Sequence, residues 1–411
     1  MISDNLNPYS LLFQKCDFGE NFLWGLSSND VPVKKKGDTF FLDKKQQFSN
    51  IDDFCYQTEL DKYKQDIALI KQLGISNFKF SLSWSKILPD GIGEVNRQSI
   101  YYYHELLDYC IVNDIEPFVT LFDFSLPAIL EEKGGWSNRE IIKWFENYVS
   151  ICVNIFKDKV KYWIVFKDPS FFTGAGHFLG IKSTAKKGVV NFLPALHHVL
   201  LCQSVGFNAI KRITSNSQVG TFFSSHYIVS KSYNDKDIKA AERIDTLLNR
   251  VYIEPLLGLG YPINSLPFLK NIAKYTSVGD ADLMKVDFDF IGLQNCTREI
   301  ATHDPSISYL NAKLINQDKI KSKKSHLNFH IYHELIYLLI KKYSKYEGVK
   351  KIFIVENLSL PFEAVCLDSS IGISKSNHLQ SFLNQMLNAK RSGGKVDGYF
   401  VSRLTEFKTI Q

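Results

Sequence analysis

Eight short runs of apolar, β-branched and aromatic residues recur along this 411-residue chain, with longer amphipathic stretches between them. The runs are Phe22–Gly25, Asn77–Leu82, Pro117–Leu121, Tyr162–Phe166, Val219–Phe223, Phe288–Leu293, Ile352–Val355 and Gly398–Val401. Each has the length and content of a buried strand. The stretches 60–73, 100–112, 139–156, 194–213, 238–253, 329–343 and 378–390 place apolar residues at helical spacing, as Tyr63, Ile67 and Ile70 do in the first. Strands alternating with helices specify βαβ repetition and a parallel sheet. Eight units, with no G-x-G-x-x-G turn after the first strand, favour an α/β fold of the closed (β/α)8 TIM-barrel type over an open doubly wound sheet.

No linker rich in Pro, Gly or Ser divides the pattern. Residues 1–18 read as an N-terminal extension and residues 19–411 as a single barrel, truncated after strand eight. The stretch 402–411 is too short for the helix that would follow that strand, so the barrel is expected to lack its last outer helix. Leaving apolar strand surface in water is costly, and Pro8–Phe18 is the expected cover.

Composition narrows the function classes. Apolar residues at 45% and charged residues at 22% describe a soluble globular protein. The net charge of +6 is spread thinly. The basic runs Lys34–Lys36 and Lys319–Lys324 are short and lack interleaved aromatics, which argues against nucleic-acid binding. No apolar run approaches the ~20 residues of a membrane helix, and the first residues lack a signal-peptide pattern. Seven scattered cysteines without C-x-x-C spacing argue against a metal or redox site. A cytoplasmic setting is expected, with no cofactor and no metal. The pair His197-His198 sits in a helical pattern and is expected to serve packing.

Two of the strand-like runs end in a carboxylate. Tyr162-Trp163-Ile164-Val165-Phe166-Lys167-Asp168-Pro169 ends at Asp168, and Lys351-Ile352-Phe353-Ile354-Val355-Glu356-Asn357 ends at Glu356. Taken singly, each acid also fits ordinary turn chemistry. In a parallel barrel, however, the active site lies at the C-terminal strand ends. Two carboxylates there are the minimum apparatus for cleaving a glycosidic bond.

Phe22-Leu23-Trp24-Gly25, Phe80-Ser81-Leu82-Ser83-Trp84-Ser85-Lys86-Ile87-Leu88-Pro89, Glu116-Pro117-Phe118-Val119-Thr120-Leu121, Gly134-Gly135-Trp136, Asp289-Phe290-Ile291-Gly292-Leu293 and Gly398-Tyr399-Phe400 follow one another in order. Together they resemble the β-glucosidase family, glycoside hydrolase family 1. The resemblance implies retaining hydrolysis of β-glycosides, with Asp168 at the acid/base position and Glu356 at the nucleophile position. The two carboxyl groups are expected about 5–5.5 Å apart, for passage through a glycosyl-enzyme intermediate.

The departures from the family pattern fall on the site. Its strand-four Asn-Glu-Pro is Lys167-Asp168-Pro169 here, which withdraws the proton donor by roughly 1.5 Å, one C–C bond. Lys167 replaces the asparagine that holds the sugar's 2-hydroxyl, and a cation beside Asp168 opposes the raised pKa a general acid needs. Lys79 replaces the arginine that pairs with the nucleophile, keeping the charge and losing the bidentate fork. The strand-three His-Trp falls on Asp123-Phe124 and the strand-six Asn-Tyr-Tyr on Gln294-Asn295-Cys296. The strand-one glutamine falls on Pro32 and the tryptophan after strand eight on Ser402. The resemblance is therefore to a degenerate member, klotho-like in having lost catalytic-site residues. The expected function is a carbohydrate- or protein-binding module with lost or much reduced β-glycosidase activity. The alternative is an active retaining β-glycosidase with altered substrate preference, for example an anionic glycoside. A β-linked sugar or glycoside is the expected ligand, and a protein partner is open.

Overall fold

The computed structural model describes residues 14–28, 56–123, 126–178, 188–315, 334–355 and 375–401. Nine strands occur among them: β1 (Leu23–Ser27), β2 (Asn77–Ser81), β3 (Glu116–Phe122), β4 (Tyr162–Lys167), β5 (Gln218–Ser230), β6 (Phe290–His303), β7 (Ala312–Leu314), β8 (Ile352–Val355) and β9 (Val396–Val401). Strands β1 to β6 pair in sequence, all parallel, and β6 pairs with β8, β8 with β9, and β9 with β1. The sheet thus closes through eight parallel strands into a (β/α)8 barrel, with β7 added antiparallel to the outer part of β6. Every strand expected from the sequence has its counterpart here.

Helices Tyr56–Gln72, Arg97–Val112, Ile141–Phe156, Val189–Ile213, Asp235–Asp245, Glu334–Ser344 and Lys375–Arg391 lie in the crossovers. Their starts follow from local chemistry. Asn96 Oδ1 accepts from the N–H groups of Gln98 and Ser99 at 3.0 and 3.2 Å, and Asn234 Oδ1 accepts from that of Asp237 at 2.8 Å. Pro194 reads as a helix start, yet the helix begins five residues earlier and carries the proline inside. That helix is also long and apolar enough to cross a membrane, by length and composition. Its apolar surface lies against the protein instead, with Phe192 through Gly206 all buried.

The barrel interior is filled by Phe118, Ile164, Phe222, Phe290, Phe353, Val355 and Phe400. Rings of this size need space on the neighbouring strand, and glycines supply it. Gly25 faces Phe400, Gly220 faces Phe290, Gly292 faces Phe222, and Gly398 faces Phe353 in the strand register. A Cβ on Gly25, Gly220 or Gly292 would lie 2.3, 2.3 or 2.1 Å from the facing ring. Large and small residues thus alternate around the wall, as a filled small barrel requires.

The seam between β1 and β9 is covered from the N-terminal side. A short 3-10 turn, Lys15–Phe18, places Phe18 against Phe22 and Trp24, with ring centroids 4.8 and 5.1 Å away. Trp24 in turn meets Tyr399 of β9 edge-on at 6.1 Å. Phe18 is 1% exposed. Within the expected cover, residues 14–18 are described; residues 402–411 lie outside the described set.

Candidate active site

All eight barrel strands run in one direction, so their C-terminal ends share a rim. Lys167 and Asp168 leave β4 at that rim, Asp123 leaves β3, and Val355 ends β8. Glu356, the residue after Val355, lies outside the described residues, as do Phe124, Ser402, Pro32 and the side chain of Asn295. The structure therefore brings Asp123, Lys167 and Asp168 to the same end of the barrel, while Lys79 lies mid-strand on β2.

Asp168 has φ +52°, in the left-handed region. Aspartate tolerates that conformation better than most residues, at about 1 kcal/mol. Its N–H donates to the Phe222 carbonyl at 3.0 Å, tying the end of β4 to β5. Its carboxyl oxygens accept from two hydroxyls: Oδ1 from Ser170 Oγ, and Oδ2 from Ser224 Oγ at 2.5 Å. The chain then continues through Pro169 into a π-helical segment, Phe171–Phe178, a form that recurs at functional sites.

Lys167 has a counter-ion that the sequence does not announce. Its Nζ donates to Asp123 Oδ2 at 2.7 Å, and the two side chains are only 14% and 13% exposed. Ser81 Oγ donates to the same Asp123 oxygen at 3.2 Å. The ends of β3 and β4 are thus joined in one ion pair. Lys79 is fully buried on β2, with Nζ 3.4 Å from Ser27 Oγ and 5.5 Å from the centroid of the Phe222 ring. Gln294 on β6 is buried as well.

Sequence reading missed Ser170, Ser224 and Ser81. One signal for Ser224 was available: it stands two residues after Phe222, on the same strand face. The histidine pair serves helix packing. His197 Nε2 lies 2.8 Å from Asp280 Oδ2 and its Nδ1 lies 2.9 Å from the Tyr261 hydroxyl. His198 Nδ1 donates to the Trp136 carbonyl at 2.9 Å. Burial lowers the pKa of both rings, that of His198 to about 4. A cavity of about 670 Å³ lies at the opposite end of the barrel, among Asn77, Glu116 and Tyr162 at the strand starts, remote from Asp168.

A family model described as Glycosyl hydrolase family 1 matches residues 17–409. The chain is 26% identical over 352 residues to a 1,4-beta-D-glucan glucohydrolase of Thermotoga neapolitana, covering 84% of this chain and 81% of that protein. It is 26% identical over 414 residues to the 6-phospho-beta-glucosidase GmuD of Bacillus subtilis, covering 93% and 88%. A beta-glucosidase from Thermotoga maritima in complex with deoxynojirimycin shares the fold with a TM-score of 0.77 at 24% identity, over 93% of this chain and 88% of that one.

Proposed function

The chain belongs to glycosyl hydrolase family 1, and from that premise we propose that its barrel rim binds a β-linked sugar or glycoside and cleaves it slowly or not at all, so that it acts as a carbohydrate- or protein-binding module. The observation that carries this reading is the Lys167–Asp123 ion pair at 2.7 Å. Two positions that would offer neutral hydrogen bonds to a sugar are engaged with each other, and each hydroxyl left unpaired on binding is costly. Asp168 adds to it, with both carboxyl oxygens accepting bonds from serines and with a side chain one methylene shorter than the family's glutamate. A misplacement of about 1 Å costs on the order of 10²-fold in rate.

The test is nitrophenol release from an aryl β-glucoside at several pH values, with Glu356→Gln as control, beside calorimetric titration with deoxynojirimycin. The reading expects binding with turnover far below an ordinary ~10 s⁻¹. Turnover near that figure that vanishes in the control would sink it. A second reading, a retaining β-glycosidase for anionic glycosides, draws on the buried Lys79 and on the relative named a 6-phospho-beta-glucosidase. Rapid hydrolysis of a phosphorylated aryl glucoside alone would favour it.

A further inference from the structure

His226 stands at the rim and has no part in the reading above. Phe222, Ser224 and His226 alternate along β5, so their side chains share one face. Phe222 belongs to the aromatic fill of the barrel. Ser224 holds Asp168. His226 is the next level toward the C-terminal rim.

Three hydrogen bonds fix its position. Ser224 is paired with Gln294 and His226 with Thr297, so β6 uses three residues where β5 uses two. This bulge returns Thr297 to the face of Gln294, and bulges re-aim side chains beside active sites in this way. Thr297 Oγ1 then lies 2.7 Å from His226 Nδ1. The buried Asn249 clamps the backbone of His226, its Oδ1 accepting from the N–H at 2.9 Å and its Nδ2 donating to the carbonyl at 2.8 Å. Nε2 makes no hydrogen bond among the described residues, and the residue is half-buried.

We propose that His226 is a second proton donor of this site, with Nδ1 anchored on Thr297 and Nε2 delivering its proton to the leaving-group oxygen of a bound glycoside. The proton moves from imidazolium Nε2 to that oxygen as the C–O bond breaks and its electron pair goes to the oxygen. The glycosyl carbon bonds to the nucleophile carboxylate; water then attacks that carbon, its proton passes to the neutral imidazole, and the bond to the carboxylate breaks with its electron pair returning to the carboxylate oxygen. The proposal rests on the reading that Asp168 is too short and too firmly tied for this task.

The charged groups that act on the ring are consistent with it. Burial lowers the His226 pKa and Lys342 lowers it further, while Asp168 and Asp245 raise it. Lys342 is itself ion-paired with Asp245. The ring therefore holds its proton on the acid side of the ordinary histidine range, and proton delivery should grow as pH falls.

Two measurements test the assignment. The NMR titration midpoint of His226, assigned by its loss in His226→Gln, should fall in Asp168→Asn, because a carboxylate that favours the imidazolium is gone. An unchanged midpoint overturns the proposal, whatever the rates. In kinetics, His226→Gln should slow cleavage of phenyl β-glucoside about 10²-fold and leave dinitrophenyl β-glucoside, which needs no acid, within about twofold. Equal losses on both substrates make His226 structural and overturn it too. Thr297→Val, which keeps the ring and removes its anchor, should reproduce the leaving-group dependence in weaker form. Wild-type turnover alone decides the slow-cleavage reading, so the two can fail separately.

Discussion

Ser224 Oγ donates to Asp168 Oδ2 at 2.5 Å, across the boundary between β4 and β5. Together with the bond from the Asp168 N–H to the Phe222 carbonyl, it makes this acid part of the barrel wall. The neighbouring Lys167–Asp123 ion pair ties the ends of β4 and β3 together in the same way.

The double variant Lys167→Asn, Asp168→Glu should lose stability rather than gain activity. It strips Asp123 of its counter-ion in a pair about 14% exposed. Breaking a buried pair costs about 3 kcal/mol when one charge stays behind, and residual solvent access reduces that to roughly 2 kcal/mol. Adding Asp123→Asn should recover most of it. Thermal unfolding midpoints in the order wild type, triple, double would agree; a double variant as stable as wild type would refute the pairing.

Gly292→Ala should destabilise the barrel by about 3 kcal/mol, an overpacking cost, because the new Cβ would fall 2.1 Å from the Phe222 ring. Gly292→Ala with Phe222→Leu should be less destabilised than the sum of the two single variants. Urea midpoints decide it, and strict additivity would argue against direct apposition.

Phe18→Ala should cost about 3 kcal/mol and shift Trp24 fluorescence to the red, since Phe18 lies 5.1 Å from that indole by ring centroids. A variant with unchanged emission and stability would show that residues 14–18 do not seal the β1–β9 seam.

Stability should fall in mild acid through His198. Its folded pKa is about 4, lowered chiefly by burial, against about 6.5 unfolded. The unfolded state therefore binds more protons between those values. Stability is fully present above pH 6.5 and is lost as pH falls toward 4, by about 2 kcal/mol between pH 7 and 5. His198→Gln, less stable at neutral pH for want of a fitted hydrogen bond to the Trp136 carbonyl, should show a shallower decline over that interval. An identical slope would assign the loss to other groups.

Local pattern accounts for what could be read from the residues in order. A buried strand announces itself by a short apolar run and a helix by its spacing, so all eight barrel strands, their parallel direction and the position of Asp168 at a strand end were legible. The extensions of β5 past Phe223 and of β6 past Leu293 were not. At the rim the two strands run through Ser224, Ser225 and His226 on one side and Thr297, Arg298 and Glu299 on the other, and mutual pairing sustains them without continuous apolar content.

Register and partnership belong to the tertiary structure. Lys167 and Asp123 are 44 residues apart, and Ser224 and Asp168 are 56 apart. Neither pair has a sequence signature, because barrel closure decides which strand ends become neighbours. Sequence alone showed a lysine beside a shortened acid. Folding gave that lysine a carboxylate partner and the acid two hydroxyl donors, since charges and polar groups drawn out of water at a crowded rim are stable only where complementary groups meet them.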